Sequence, residues 1–148
     1  SIRDDYYREL CGGSVEPVQR TIEAAYGKCH VEVTTLLVNG KNDTVEEVEG
    51  IASWLAALDR DIPLHLSRYY PAYRMTRPAT DENVMVRAKK TAEKHLRYVY
   101  PGNMRDTDSS TYCPECGRLL IERRGFTARV LTDKPECPGC GEHIPIVL

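Results

Sequence analysis

The sequence predicts an α/β fold with parallel strands, followed by a small C-terminal four-cysteine zinc ribbon. Helical and strand-like patterns alternate through residues 1–101, and a polar linker follows at residues 102–110. Two Cys-x-x-Cys pairs lie within residues 111–148. Helices that alternate with strands imply a parallel sheet built from right-handed crossovers. The chain therefore divides into two predicted domains of different kinds, residues 1–101 and residues 111–148.

The composition is that of an ordinary soluble globular protein. Of 148 residues, 41% are hydrophobic and 28% are charged, and the net charge is −2. This charge gives no global basic field that would attract nucleic acid or an anionic membrane. The longest uncharged apolar run, Val33–Val38, is far shorter than the roughly 20 residues that cross a bilayer. No export signal is visible at Ser1, so we expect a cytoplasmic protein with reduced cysteines.

The first three elements are predicted from their end signals and hydrophobic pattern. Asp4–Leu10 is a short helix, and Glu16–Tyr26 is an amphipathic helix. Pro17 in the first turn of the second helix and Gly27 at its end follow the usual asymmetry of helix termini. Cys29–Val38 is rich in β-branched and apolar residues, which predicts a strand buried on both faces.

The next elements continue the alternation to the end of the first domain. Asp43 or Thr44 caps a helix that runs to about Leu58. The later predictions are a strand at Ile62–Leu66, an aromatic loop at Arg68–Pro78, a helix at about Asp81–His95 and a strand at Arg97–Tyr100. A parallel sheet of only three strands leaves apolar edges exposed. We therefore expect the sheet to continue in a missing segment, a partner chain or a homodimer.

The two Cys-x-x-Cys pairs predict one metal site. Both have the form Cys-Pro-x-Cys-Gly, with ligands Cys113, Cys116, Cys137 and Cys140. Four thiolates close a tetrahedral shell, which makes the predicted site structural rather than catalytic. Zinc is favoured, but iron accepts the same ligands, and two disulfides are the alternative that needs no metal. Cys11 and Cys29 are separate thiols.

The rest of the ribbon domain is predicted as a hairpin. Its strands are Arg118–Arg124 and Phe126–Thr132, and His143 lies outside the filled ligand shell. Basic and acidic residues are balanced here, and Phe126 and Tyr112 are the residues that can stack on bases. Nucleic-acid binding is therefore disfavoured.

Four segments carry a family resemblance that covers essentially the whole chain. They are Val33–Asp43, Leu64–Pro71, Cys11-Gly-Gly and the tail segment Tyr112–Gly117. Together they resemble the C-terminal half of a radical S-adenosylmethionine (SAM) enzyme related to pyruvate formate-lyase activating enzymes. The closest group is the AmmeMemoRadiSam-system family, which ends in such a ribbon. The resemblance implies a partial (β/α) barrel, of which this chain supplies the last strands.

The resemblance also implies a SAM pocket on this part of the barrel. Val38 matches the strand position where backbone contacts adenine, and Gly40 permits the turn that follows. His65 matches the histidine that contacts SAM in activating enzymes. Thr34 stands where some relatives carry an arginine, which is a departure from the family pattern. A histidine between apolar residues also occurs as a packed core residue, so both roles of His65 stay open.

The chain departs from the family in a more important respect. Radical SAM chemistry uses a Cys-x-x-x-Cys-x-x-Cys motif to hold a [4Fe–4S] cluster, and this spacing does not occur in the 148 residues. SAM and the cluster are therefore expected only in a full-length parent that includes the missing N-terminal barrel half. The chain alone is expected to be inactive, and a protein is one candidate for the substrate of the parent. The alternative is a non-enzymatic zinc-ribbon module for protein interaction.

Overall fold

A computed structural model of the chain describes residues 1–105, 107–125 and 127–146. The chain divides into two compact units, Ser1–Met104 and Arg105–Leu148. No helix in the described ranges has the length and apolarity needed to cross a bilayer.

The first unit is an α/β structure with a three-stranded sheet. In chain order it contains α1 (Asp4–Tyr6), a π-helical turn (Tyr7–Cys11), α2 (Val15–Ala25), β1 (Val33–Leu37), α3 (Val45–Leu58), β2 (Leu64–Arg68), α4 (Glu82–Ala92) and β3 (Val99–Gly102). The strand order is β1-β2-β3, and both pairs are parallel. The predicted α/β class with parallel strands is confirmed. The described strands form an open sheet and not a closed barrel.

Helices α3 and α4 begin at side chains that cap their free backbone amides. Thr44 precedes α3, and its hydroxyl oxygen accepts a hydrogen bond from the Glu47 amide at 3.2 Å. Asp81 precedes α4 and accepts from the Asn83 amide at 2.7 Å. Such caps satisfy donors that have no partner within the helix. Of the two predicted caps for α3, the structure selects Thr44.

One face of the sheet packs against helices α3 and α4 and forms the hydrophobic core. Leu37, Leu64 and Leu66 point to this face and are fully buried. The helices contribute most of the other buried residues of this core, namely Val48, Ile51, Ala52 and Leu55 from α3 and Met85, Ala88 and Ala92 from α4. This single layer of contacts holds the three strands in place.

The opposite face of the sheet is not covered by any described element of the unit. We call it the open face; its residues are Thr34, Leu36, His65, Ser67 and Tyr100. Leu36 is 42% exposed. The prediction that Cys29–Val38 is a strand buried on both faces is therefore wrong. The strand is shorter, Val33–Leu37, and its residues alternate between buried and exposed because helices lie on only one side.

Buried polar side chains fasten the end of β1. The Asn42 side chain accepts from the Val38 amide at 2.7 Å and donates to the Leu36 carbonyl at 2.9 Å. The Thr80 hydroxyl donates to the Leu37 carbonyl at 2.5 Å. Asn42 and Thr80 are both fully buried. Because buried polar groups without partners are costly, these bonds fix the path of the chain where β1 ends.

The N-terminal segment is held by a buried carboxylate of α3. Glu47 is 4% exposed and accepts hydrogen bonds from the Ile2 amide at 3.0 Å and from the Ser1 hydroxyl. The Ile2 side chain packs against the core beside Gly50, where an added Cβ would stand 2.3 Å from Ile2 Cδ1. The segment before α1 is thereby fixed against the helix layer.

The second unit is a small antiparallel sheet. Its strands are β4 (Thr111–Tyr112), β5 (Leu119–Arg124) and β6 (Thr127–Val130), in the order β4-β5-β6. The predicted hairpin is present as the β5–β6 pair, in which Arg124 opposes Thr127 across a turn at Gly125. Phe126, the first residue of the predicted second strand, lies outside the described residues.

The one-sided core predicts unequal effects for two leucines on neighbouring strands. Leu66→Ala removes a fully buried side chain from the central strand and should lower the free energy of unfolding by about 2–5 kcal/mol. Leu36→Ala on the open face is the matched control, with an expected loss below about 1 kcal/mol. Urea unfolding followed by circular dichroism measures both. Equal losses would contradict a core on one face only.

Candidate metal centre

The first cysteine pair lies in a tight turn between β4 and β5. The Cys113 amide donates to the Arg118 carbonyl at 2.8 Å, and the Gly117 amide donates to the Cys113 carbonyl at 3.0 Å. Gly117 has a φ of 71°, a left-handed conformation that glycine adopts without strain. This turn brings Cys113 and Cys116 to the same side of the loop.

The second pair repeats this geometry after β6. The Cys137 amide donates to the Glu142 carbonyl at 2.8 Å, and the Gly141 amide donates to the Cys137 carbonyl at 2.9 Å. Gly141 has a φ of 78°. The two turns therefore have matching hydrogen bonds at matching positions.

The repeat extends into the small core of the unit. Leu120 follows Cys113 by the same number of positions as Ile144 follows Cys137. These four residues are at most 2% exposed and form one cluster. The unit thus consists of two similar halves, each of which contributes one buried cysteine and one buried aliphatic residue. The shared cysteine pattern is visible in the sequence, whereas the matching core positions become evident only from the burial of Leu120 and Ile144.

The four cysteine sulfurs converge on one point. Cys113 Sγ lies 3.6 Å from Cys140 Sγ, and Cys116 Sγ lies 3.5 Å from Cys137 Sγ. All four sulfurs are within 4.8 Å of one another. Sulfurs bound to one ion at about 2.3 Å in a tetrahedron stand about 3.8 Å apart. The arrangement fits a tetrahedral metal ion such as zinc or iron, and all six cysteines of the chain are free thiols.

The ligands differ in exposure and in their acidity. Cys113 and Cys137 are buried, whereas Cys116 and Cys140 are exposed. Burial opposes ionisation of Cys137, but the amides of Gly139 and Cys140 and the neighbouring thiols outweigh it and lower its pKa to about 6. The Glu142 amide favours ionisation of Cys140, but burial and the other three sulfurs raise its pKa to about 12. The metal-free cluster therefore carries a thiolate that is ready to bind a cation.

The predicted SAM-pocket residues occupy two separate positions on the first unit. Thr34 and His65 are paired on β1 and β2, and both lie on the open face near the start of the strands. Val38 is buried directly after β1, and Gly40 lies in the following turn. The Gly40 amide donates to the Asp43 carboxylate at 2.9 Å, and its φ is 66°. The first pair thus lies on the sheet surface and the second at its C-terminal edge.

The structure adds two residues that the sequence analysis did not single out. Glu32 immediately precedes β1, and its carboxylate lies 2.8 Å from His65 Nε2. His30 Nε2 lies 2.9 Å from the other oxygen of the same carboxylate. The His65 ring also packs on Tyr100, with 5.3 Å between the ring centroids. In the sequence these residues are indicated by the pattern His30-x-Glu32 immediately before a strand. Residues two positions apart in an extended chain point to the same face of the sheet, so the two side chains can meet there.

The loop after β2 contains both packed and exposed aromatic residues. Arg68 forms an ion pair with Glu82 at 2.6 Å and lies over the Tyr70 ring. Tyr69 is 4% exposed, and its hydroxyl donates to the Met75 carbonyl at 3.0 Å. Tyr73 is 90% exposed and has a φ of 54°. Arg68 and Tyr69 therefore stabilise the loop, whereas the exposed Tyr73 ring is contacted by the guanidinium of its neighbour Arg74, 5.0 Å from the ring centroid.

Comparison with known proteins finds similarity to an uncharacterized protein of Methanocaldococcus jannaschii. The two are 39% identical over 152 aligned positions, which cover 97% of this chain and 46% of that protein. The chain thus spans about half the length of the curated relative that it matches. No family model and no solved structure matches the chain.

Proposed function

We propose that this chain is the C-terminal portion of a radical SAM protein of the glycyl-radical-activating type, and that its ribbon holds one structural zinc ion. The radical SAM assignment is supported by the one-sided sheet, whose parallel strands have helices on one face and mainly polar residues on the other. The zinc assignment is supported by the convergence of the four cysteine sulfurs.

The one-sided sheet supports a sector of a (β/α) barrel. Purely parallel sheets occur almost only with both faces covered, either by two helix layers or by closure into a barrel. In a barrel the helices lie outside and the second face of the strands points inward. Among the described residues β1 and β3 are edge strands, each with one strand neighbour. Further parallel strands added at these edges would bring the open face inside a barrel.

The chemistry of the open face supports a ligand-binding interior. A closed barrel is normally packed with branched aliphatic side chains. Here Thr34, His65, Ser67 and Tyr100 stand beside the single aliphatic residue Leu36. Such residues favour a cavity that contains a polar ligand. We therefore assign Thr34 and His65 on the open face to part of the SAM pocket, together with Val38 and Gly40 at the C-terminal edge of the sheet, which the family resemblance adds. We assign the loop after β2 to the substrate side.

The length of the relative supports a larger parent protein. More than half of that relative lies outside the aligned region, since the alignment covers 46% of it. This leaves room for the remaining strands and for the three cysteines of a cluster motif. In such a parent, a [4Fe–4S] cluster would supply the electron for reductive cleavage of SAM. The residues of this chain would bind and orient SAM and exclude water.

The size of the ribbon core supports a structural role for its metal. Its buried cluster consists of Cys113, Leu120, Cys137 and Ile144, with Ile121 and Ile146 partly buried beside it. So small a core does not offset the entropy of ordering the chain, and small domains of this kind usually depend on a metal or disulfides. The closed shell of four sulfurs leaves no position for a substrate.

Loss of one buried ligand should abolish stable metal binding. Elemental analysis of the purified chain is expected to give one zinc per chain, and Cys113→Ser should reduce this to a small fraction because a closed shell loses a thiolate. Cys29→Ser is the matched control, since Cys29 is exposed and outside the cluster. A metal content well below one in the wild-type chain, or an unchanged content in Cys113→Ser, would contradict the site.

The affinity for zinc should decrease as the pH falls, because protons compete with the metal for the thiolates. Above pH 6 one thiolate is already present, since the pKa of Cys137 is lowered to about 6. Below that pH one more proton must be displaced, so the plot of log affinity against pH should become steeper there. Competition with a chromophoric chelator measures this dependence, and an affinity that does not change with pH would be the contrary result.

The radical SAM assignment predicts reductive cleavage of SAM by the full-length parent. The parent, reconstituted with iron and sulfide and reduced with dithionite, should form 5′-deoxyadenosine, which chromatography with mass spectrometry detects. His65→Ala should raise the KM for SAM about tenfold, as loss of one ligand hydrogen bond implies. His143→Ala is the matched control, because His143 lies outside the SAM pocket and the sulfur cluster.

Two outcomes would count against this assignment. A parent without a Cys-x-x-x-Cys-x-x-Cys motif, or one that forms no 5′-deoxyadenosine, would exclude it.

Light scattering of the isolated chain then tests the alternative of a zinc-ribbon interaction module. That alternative expects a stable monomer with little dye-accessible apolar surface, whereas an incomplete barrel expects self-association through its open edges and face.

A further inference from the structure

Both oxygens of the Glu32 carboxylate are engaged by histidines. His30 Nε2 lies 2.9 Å from Oε1, and His65 Nε2 lies 2.8 Å from Oε2. The His30 hydrogen bond lowers the pKa of Glu32; burial opposes this shift, and His65 adds to it. Glu32 is therefore ionised at neutral pH and can only accept hydrogen bonds. Both Nε2 atoms must carry the proton.

This arrangement determines which nitrogen of His65 remains available. In a neutral imidazole with a proton on Nε2, Nδ1 is a hydrogen-bond acceptor. Within the described part of the chain, His65 Nδ1 has no hydrogen-bond partner. The ring is packed against Tyr100 at an interplanar angle of 31°, and the His65 side chain is 36% exposed. His65 is thus both held in place and accessible from the open face.

We propose that Glu32 is a positioning residue that fixes His65 as the Nε2–H tautomer, so that Nδ1 accepts a hydrogen bond from a hydroxyl or amino group of a ligand on the open face. The identity of that ligand rests on the proposed function, in which the nucleoside part of SAM supplies such groups. His30 binds the second oxygen of Glu32 and keeps the carboxylate oriented toward His65.

A metal site at these three side chains is the less favoured interpretation. The two histidines contact different oxygens of the carboxylate. Among the described residues, metal-ligating atoms of three or more His, Cys, Asp or Glu side chains converge only at the four cysteines. A carboxylate that orients an imidazole through one nitrogen and leaves the other free is a recurrent arrangement in binding and catalytic sites.

The tautomer is measured directly on the zinc-loaded chain. Long-range ¹H–¹⁵N correlation spectra of histidine-labelled protein distinguish Nε2–H from Nδ1–H, and His65→Gln assigns the His65 signals. Above neutral pH the wild-type chain should show the Nε2–H pattern for His65. Glu32→Gln should convert it to a mixture of tautomers, because an amide side chain can donate as well as accept. An Nδ1–H pattern in the wild type, or no change in Glu32→Gln, would overturn the proposal.

Glu49→Gln is the matched control for this experiment. Glu49 lies 3.5 Å from His95 Nε2 and is not part of the Glu32 cluster. This variant should leave the His65 spectrum unchanged, and circular dichroism should show that both variants are folded. A His65 spectrum that changes equally in Glu49→Gln would mean that the effect of Glu32 is not specific, and would also overturn the proposal.

The ligand is tested in the full-length parent. Glu32→Gln should raise the KM for SAM about three- to tenfold with little change in kcat, because a positioning residue acts through one ligand hydrogen bond. An unchanged KM would overturn the ligand part of the proposal. The tautomer experiment contains no SAM, so its failure is distinguishable from failure of the proposed function, which a lack of 5′-deoxyadenosine would indicate.

Discussion

The structure of the first unit depends on burial of one face of a parallel sheet. Helices α3 and α4 cover the leucines of that face, and they exclude water from the core. The same constraint leaves the other face accessible, so its side chains do not have to be apolar. Glu32, His65 and Tyr100 can therefore form polar and ring contacts at a surface that a second helix layer would otherwise have covered.

A different constraint governs the ribbon. Too few residues are buried there for hydrophobic packing to hold the loops, and the two cysteine turns supply the organisation. The matching backbone hydrogen bonds of these turns bring the four sulfurs together. Proximity of the thiols spreads their acidities, so that one ionises readily and another resists ionisation. The local backbone conformation thus determines both the geometry and the charge of the site.

Features that depend on short-range interactions are visible in the sequence, whereas features that depend on tertiary packing are not. The alternating elements, a cap for α3 at Asp43 or Thr44 and the two Cys-x-x-Cys pairs depend on residues a few positions apart, and local sequence patterns predict them. The burial of both faces of β1 was predicted wrongly, because burial depends on which elements pack against the strand. Glu47 lies in the first turn of α3, where acidic residues interact favourably with the helix dipole. In the structure, however, Glu47 is buried and binds the N-terminal segment, a role that its local sequence does not indicate.

The sequence by itself determined the α/β class, the parallel orientation of the strands and the four cysteines of the candidate metal centre. Periodicity and short-range spacing encode these features. Only the tertiary structure decided that one face of the sheet is open and that Glu32 joins His30 and His65. His65 lies 33 positions from Glu32 along the chain, and the two meet because β1 and β2 pair in a defined register. Contacts of that range follow from packing and register and are not visible in local sequence patterns.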